Sequence, residues 1–185
     1  MIINSLCIYS QNVRKNKTLT NTILEKEKNN SDVVLIQEPP RYIIKCLPSS
    51  FSPEGDPIYG HPSHPEWIIF ACSPNDNDNI SHVIIYINKR LMCLQPMLRR
   101  DIVNHRDINL VPCVINQNVF FILNVYSDDN QTTISYLRDH ELNTGNTLIM
   151  AGDFNICDSD WDPLYPHHST YADNLTTIAN SLNLD

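Results

Sequence analysis

The chain has 185 residues, 42% of them hydrophobic and 18% charged, and carries a formal net charge of −8. That balance belongs to a single globular domain with a sizeable core and excludes a disordered or fibrous chain. The acidity excludes a wide basic surface of the kind that holds phosphate backbones without regard to sequence, although Arg99, Arg100, Arg106 and the Arg14/Lys15/Lys17 group could form a local patch.

No apolar run approaches the ~20 residues that a membrane helix needs. The opening Met1-Ile2-Ile3-Asn4 lacks the basic start and long apolar stretch of a signal peptide, so the reading is of an intracellular, non-membrane, non-secreted protein. Six cysteines (Cys7, Cys46, Cys72, Cys93, Cys113, Cys157) are scattered with no Cys-x-x-Cys pair, several of them inside apolar runs. Neither disulfides nor a zinc site is expected from that pattern.

Ile3 to Val13 reads as a strand ending in Ser10-Gln11-Asn12-Val13, and Leu19, Ile23 and Leu24 mark an amphipathic helix over 18–28, closed by Asn29-Asn30-Ser31. Val33-Val34-Leu35-Ile36 is short, continuous and β-branched, as in a strand buried on both faces, and it runs into Gln37-Glu38 before Pro39-Pro40. Proline density between Pro48 and Pro65 predicts a long surface loop. Strands are expected over 67–72 and 83–88, joined by an Asp/Asn-rich turn at 73–79. That turn lacks the central glycine and closing glutamate of a calcium loop.

A further strand pair spans 106–114 and 119–126, with Asn116-Gln117-Asn118 as its turn. Ser127-Asp128-Asp129 supplies helix caps, and Ile134, Leu137 and Leu142 mark a helix that ends before Gly145. Thr147 to Ala151 is a buried strand opening onto Gly152-Asp153-Phe154-Asn155. Leu175, Ile178, Ala179 and Leu182 recur at helical spacing at the end of the chain. Strands interleaved with helices and hairpins predict mixed sheets covered by helices, an α/β layered sandwich in one domain over 1–185.

Polar residues recur at the ends of these strands: Asn12, Glu38, and the pair Asp153 and Asn155. If the three strands are parallel neighbours, the four side chains gather on one sheet rim. Oxygen ligands with one or two carboxylates suit Mg²⁺ or Mn²⁺ bound together with a substrate phosphate. Strand alternation would point Asp153 and Asn155 the same way, while Gly-Asp-Phe-Asn could equally be a strand end followed by an Asx turn. Tyr126 is a further strand-end group able to hydrogen-bond a phosphate oxygen, or simply a packed ring with a wet hydroxyl. His61, His64, His167 and His168 show no zinc-ligand spacing, and no Gly-x-Ser-x-Gly elbow is present.

Gln11-Asn12, Gln37-Glu38, Asn124-Val125-Tyr126 and Gly152-Asp153-Phe154-Asn155, in this order, resemble the endonuclease/exonuclease/phosphatase superfamily of pancreatic deoxyribonuclease and the apurinic endonucleases. The Asn12-Val13-Arg14-Lys15-Asn16 opening and the run from Trp161 to His168 resemble the endonuclease domain of fungal non-LTR retrotransposons. The resemblance implies a four-layer, DNase I-like α/β sandwich, a DNA substrate with a nuclear place of action, and Mg²⁺- or Mn²⁺-dependent phosphodiester cleavage. It implies Glu38 and Asn12 as metal ligands, Asp153 as the group that orients or deprotonates water, and Asn155 and Tyr126 as phosphate holders. Arg14 stands where apurinic endonucleases carry an aspartate, and the family's final Ser-Asp-His has no counterpart before Asp185. The expectation is therefore a domain whose last strands are missing, prone to aggregation or dependent on a partner. Two other readings stay open: a non-catalytic remnant of such a domain, and a phosphomonoesterase on the same fold.

Overall fold

The computed structural model describes residues 5–40, 43–47, 56–59, 64–71, 81–115, 117–140, 142, 144, 148–162, 164–182 and 184. The start of the first expected strand, most of the proline-rich segment, the Asp/Asn-rich turn at 73–79 and Gly145 lie outside the described residues.

In chain order the elements are β1 (Ile8–Asn12), α1 (Lys17–Glu27), β2 (Val33–Gln37), β3 (Ile43–Leu47), β4 (Asp56–Tyr59), β5 (Trp67–Phe70) and β6 (Val83–Asn88). A short 3-10 turn (Lys89–Leu94) follows, then β7 (Ile108–Ile115), β8 (Asn118–Tyr126), α2 (Thr132–Asp139), β9 (Leu148–Asp153) and α3 (Thr170–Ser181). One sheet has the order β1-β2-β6-β5 and the other β7-β8-β9, while β3 and β4 form a separate two-stranded pair. Parallel pairing occurs between β1 and β2 and between β8 and β9, and the remaining pairs are antiparallel.

Strand alternation sorts the core into layers. Val34 and Ile36 of β2, with Ile84 and Tyr86 of β6, face Ile23 and Leu24 of α1. Their neighbours Val33, Leu35, Ile85 and Ile87 turn the other way and meet Val111, Cys113 and Ile122 of the second sheet. Leu110, Leu123 and Val125 face outward from that sheet onto Ile134 and Leu137 of α2 and Ile178 of α3. The result is helix, sheet, sheet, helices: four layers, with every β2 residue buried as its unbroken apolar run predicts.

Local chemistry sets the helix ends. Asn16 accepts from the Leu19 N–H at 3.0 Å to start α1, Asp128 accepts from the Thr132 N–H at 3.0 Å to start α2, and Ser169 accepts from the Tyr171 N–H at 3.2 Å to start α3. Each such cap satisfies an N–H that the helix itself cannot, and is typically worth about 1 kcal/mol.

Two sequence expectations need correction. The proline-rich segment contains a strand, β4, paired antiparallel with β3. Pro57 is tolerated because a two-stranded pair has outer edges where a missing N–H breaks no ladder. The helix carrying Ile134 and Leu137 stops at Asp139, and Leu142 reaches the same core from beyond it, 7% exposed. Among the described residues no helix is long and apolar enough to cross a membrane.

Candidate active site

Three of the four strand-end residues, Asn12, Glu38 and Asp153, meet, but across the sandwich rather than along one sheet. β1 and β2 are parallel neighbours, so Asn12 stands opposite Gln37 and Glu38 follows one residue on. β9 belongs to the other sheet, where Asp153 pairs with Tyr126 at the end of β8. The expectation that β1, β2 and β9 are neighbours in one sheet is thereby corrected. The side chains meet because the same ends of the two stacked sheets face each other.

The junction is the side-chain amide of Asn12. Its Nδ2 donates to Glu38 Oε1 at 2.9 Å and to Asp153 Oδ2 at 2.6 Å, and its Oδ1 accepts from the Arg14 N–H at 2.8 Å. Two carboxylates on one nitrogen repel unless positive charge stands between or beside them. Among the described residues the amide dipole and the Lys15 Nζ, 3.9 Å from Glu38 Oε2, supply it.

Backbone strain holds Glu38 in place. Its φ of 45° lies in the left-handed region, which a glutamate adopts only when its surroundings require it. Here the Glu38 N–H donates to the His82 carbonyl at 2.8 Å and its own carbonyl accepts from the Lys15 N–H at 2.7 Å. His82 also meets the Tyr126 ring edge-on at 5.5 Å, and its Nδ1 lies 2.7 Å from Oδ1 of the buried Asp107. The Asp107 carbonyl in turn accepts from the Tyr126 N–H at 2.9 Å. His82 and Asp107 thus back both Glu38 and Tyr126. Sequence reasoning missed them, since neither belongs to a motif and only the packing of β6 against β7 brings them together.

Burial first, then the Glu38 and Asp153 carboxylates, push the Tyr126 hydroxyl above the usual phenol range. At neutral pH the hydroxyl therefore keeps its proton and can donate it to an anionic oxygen.

Asp153 serves two purposes. While Oδ2 receives the Asn12 amide, Oδ1 accepts from the Asn155 N–H at 3.1 Å, an Asx turn that ends the strand. Asn155 has φ 48°, so strand alternation stops and its side chain does not follow that of Asp153. Instead its Nδ2 donates to the Ser127 carbonyl at 2.6 Å, while the Ser127 N–H donates to the Asp153 carbonyl at 2.8 Å. Asn155 therefore clamps the end of β9 to the end of β8. One residue before Asp153, any side chain is forbidden: a Cβ on Gly152 would lie 1.9 Å from the Val125 carbonyl oxygen.

A buried polar seam joins the two sheets just behind this rim. Gln37 Nε2 donates to Asn124 Oδ1 at 2.6 Å, and Asn124 Nδ2 donates to the carbonyls of Ile36 and Ile84 at 3.2 and 3.0 Å. Such bonds are directional where apolar packing is not, so they set how the sheets align at the end that carries Glu38 and Asp153.

The rim opens into a groove of about 780 Å³ whose walls include Asn12, Asp153, Phe154, Trp161 and Leu175. The carboxylate oxygens of Glu38 and Asp153 are hard, anionic donors that fit a small divalent cation, while Asn12, whose Oδ1 accepts from the Arg14 N–H, joins them as an oxygen ligand only with its amide turned over. A second group, Asp158, Asp160 and His168, has ligand atoms within 4.8 Å of one another. Its hydrogen bonds account for it differently. Asp158 accepts from the backbone N–H groups of Asp160 and Ser169 at 2.8 and 2.6 Å, and the two ring nitrogens of His168 lie 3.1 Å from Asp158 and 2.9 Å from Asp173. Those bonds lower the Asp158 carboxyl below its ordinary range and raise the His168 imidazole above its own. They tie down the loop between β9 and α3.

No protein-family model and no curated protein sequence matches the chain. Solved structures do. The endonuclease domain of TRAS1, a telomere-specific non-LTR retrotransposon, overlays with a TM-score of 0.70 at 16% identity, over 96% of this chain and 71% of that one. A humanized D. rerio TDP2 overlays at TM-score 0.45 and 15% identity, over 89% of this chain and 68% of that one. TDP2 from C. elegans overlays at 0.46 and 13%, over 89% and 51%. The four layers, the sheet orders and the TRAS1 overlay together assign this chain a DNase I-like fold.

Proposed function

We propose that this chain is a divalent-metal-dependent phosphodiesterase acting on DNA, an endonuclease of the retroelement type. The observation that carries the reading is the meeting of Glu38 and Asp153, from opposite sheets, on the one amide of Asn12. A fold does not need two carboxylates pressed together at a groove; charge chemistry does.

In this reading Glu38 and Asn12 hold Mg²⁺ or Mn²⁺. When bound, the ion offsets the negative charge that builds on the phosphoryl oxygens as the phosphorus becomes five-coordinate. Asp153 orients a water and takes its proton as the water oxygen bonds to phosphorus and the opposite P–O bond breaks. Tyr126, protonated at neutral pH, donates to a phosphoryl oxygen. Asn155 acts through Asp153: with its Nδ2 spent on the Ser127 carbonyl, it positions the base rather than the phosphate.

The test is nicking of negatively supercoiled plasmid in Mg²⁺ by the whole chain and by E38A and D153A. Removing a group that acts in the transition state lowers turnover by about a hundredfold or more. Nicking that survives both substitutions contradicts the assignment.

A further inference from the structure

One large apolar group in the groove plays no part in the proposed chemistry. Trp161 is 47% exposed, yet it is not loose. Its Nε1 donates to the Ile156 carbonyl at 3.1 Å, closing the loop that leaves Asn155 and anchoring the indole by its edge. The ring lies on the wall of the groove that also holds Asn12 and Asp153. An exposed indole is costly to keep in water, and one already immobilised has little entropy left to lose on contact with a flat partner. The net charge of −8 limits phosphate neutralisation and counterion release to a few cations such as Lys15, which stands 3.9 Å from Glu38. A nucleic-acid ligand at this site needs a sequence-tolerant, uncharged source of binding, and base-on-aromatic stacking is one.

We infer that the Trp161 indole is a stacking platform for an unpaired base next to the phosphodiester held at Glu38 and Asp153. The favoured substrate class is accordingly single-stranded or locally melted DNA. The inference rests on the phosphodiesterase reading and refines it: bases in continuous duplex are stacked on one another and present no free face. Negatively supercoiled plasmid, which melts locally, is a substrate on this account, and the relaxed circle is a poorer one.

The chain carries its own probe. It has two tryptophans, and the other, Trp67, is 3% exposed with its Nε1 bonded to the Leu24 carbonyl at 3.0 Å. The long-wavelength edge of the emission therefore reports Trp161. The whole chain is titrated with a cleavage-resistant phosphorothioate oligothymidylate in Mg²⁺, following tryptophan emission and, separately, the anisotropy of a dye on the oligonucleotide. The expected result is quenching of the red edge in step with the anisotropy, roughly tenfold weaker binding or worse in W161A, partial recovery in W161F, which restores a ring but not the Nε1 bond to Ile156, and the same melting temperature in the two variants. Anisotropy that rises without any change in emission, with W161A binding like the parent, overturns the platform while leaving the nuclease intact. Absence of both oligonucleotide binding and plasmid nicking overturns the phosphodiesterase reading and the platform with it. Emission that shifts to the blue with protein concentration, without DNA, also overturns it, because the indole is then a contact between copies.

Discussion

Two acidic clusters lie among the described residues, and they differ in how far the fold itself satisfies them. Asn12, Glu38 and Asp153 come from the ends of three elements in two sheets. The two carboxylates share the Asn12 amide, with Lys15 3.9 Å from Glu38 and one backbone N–H on Asp153, and Asn12 and Asp153 line the groove. Asp158, Asp160 and His168 come from one short loop, where Asp158 already receives two backbone N–H groups and an imidazole. Proximity of ligand atoms alone would favour the second. Hydrogen-bond satisfaction favours the first, since charge left under-compensated by its own fold is what a cation or a reacting water can use.

Exchanging the fates of the two clusters gives the largest expected effects. E38A and D153A should lower plasmid nicking by two or more orders of magnitude. E38A should leave the melting temperature level or higher, because it removes one of two mutually repelling carboxylates, while D153A should lower it modestly, because the turn onto Asn155 loses its acceptor. Asp158→Ala should do the reverse: the loop loses its anchor and the melting temperature falls, yet nicking per folded molecule stays near that of the parent. Should Asp158→Ala abolish nicking without lowering the melting temperature, the two clusters have been assigned the wrong way round.

A stability effect comes next, in the strand that feeds the reactive cluster. Gly152→Ala places a Cβ 1.9 Å from the Val125 carbonyl oxygen, a backbone atom that cannot swing aside. The pairing of β8 with β9 must open to admit it, at a cost of about 3 kcal/mol, near the upper end for overpacking. Urea unfolding reads the loss directly. Tyr126 and Asp153 are register partners across the same pair, so nicking should fall with it.

How much of this was legible in the sequence follows from how local each signal is. The placing of Asn12, Glu38 and Asp153 at strand ends was legible because strand-like runs stop at or just before each of them, and the end of a strand is where polar side chains can emerge. Which sheet β9 would join was not legible: Leu148 to Ala151 says buried, but pairing partners are a long-range property. Asn155 misled for a different reason, since alternation holds only while the strand continues and its left-handed φ of 48° ends it. His82 and Asp107 carried no signal at all, because their meaning arises only when β6 packs on β7. The layered α/β arrangement, by contrast, was legible in the interleaving of continuous apolar strand runs such as β2 and β6 with helical spacing in α1, α2 and α3, whereas the number of layers came only from the family resemblance.

The smallest expected effect lies in the second cluster and turns on pH. His168 is raised above its ordinary value by hydrogen bonds to Asp173 and Asp158, so its contribution is complete below the unfolded-state value of about 6.5 and is lost as pH rises through the higher folded-state value. Asp158 is lowered, chiefly by the Asp160 and Ser169 backbone N–H groups, so its contribution is present above the ordinary carboxylate range and is lost as pH falls through the depressed value. The loop from 156 to 169 is therefore held best in mildly acidic solution, between those limits. Half of His168 is exposed, so salt screens the alkaline loss and the global melting temperature should barely register it. Amide hydrogen exchange at Ser169, whose N–H is bonded to Asp158, should register it: protection, corrected for the intrinsic rate, should decline above the His168 midpoint and remain flat in H168N. Protection that is flat in the parent would mean that the backbone bonds of Asp158 hold the loop alone, leaving His168 a bystander on a turn already closed.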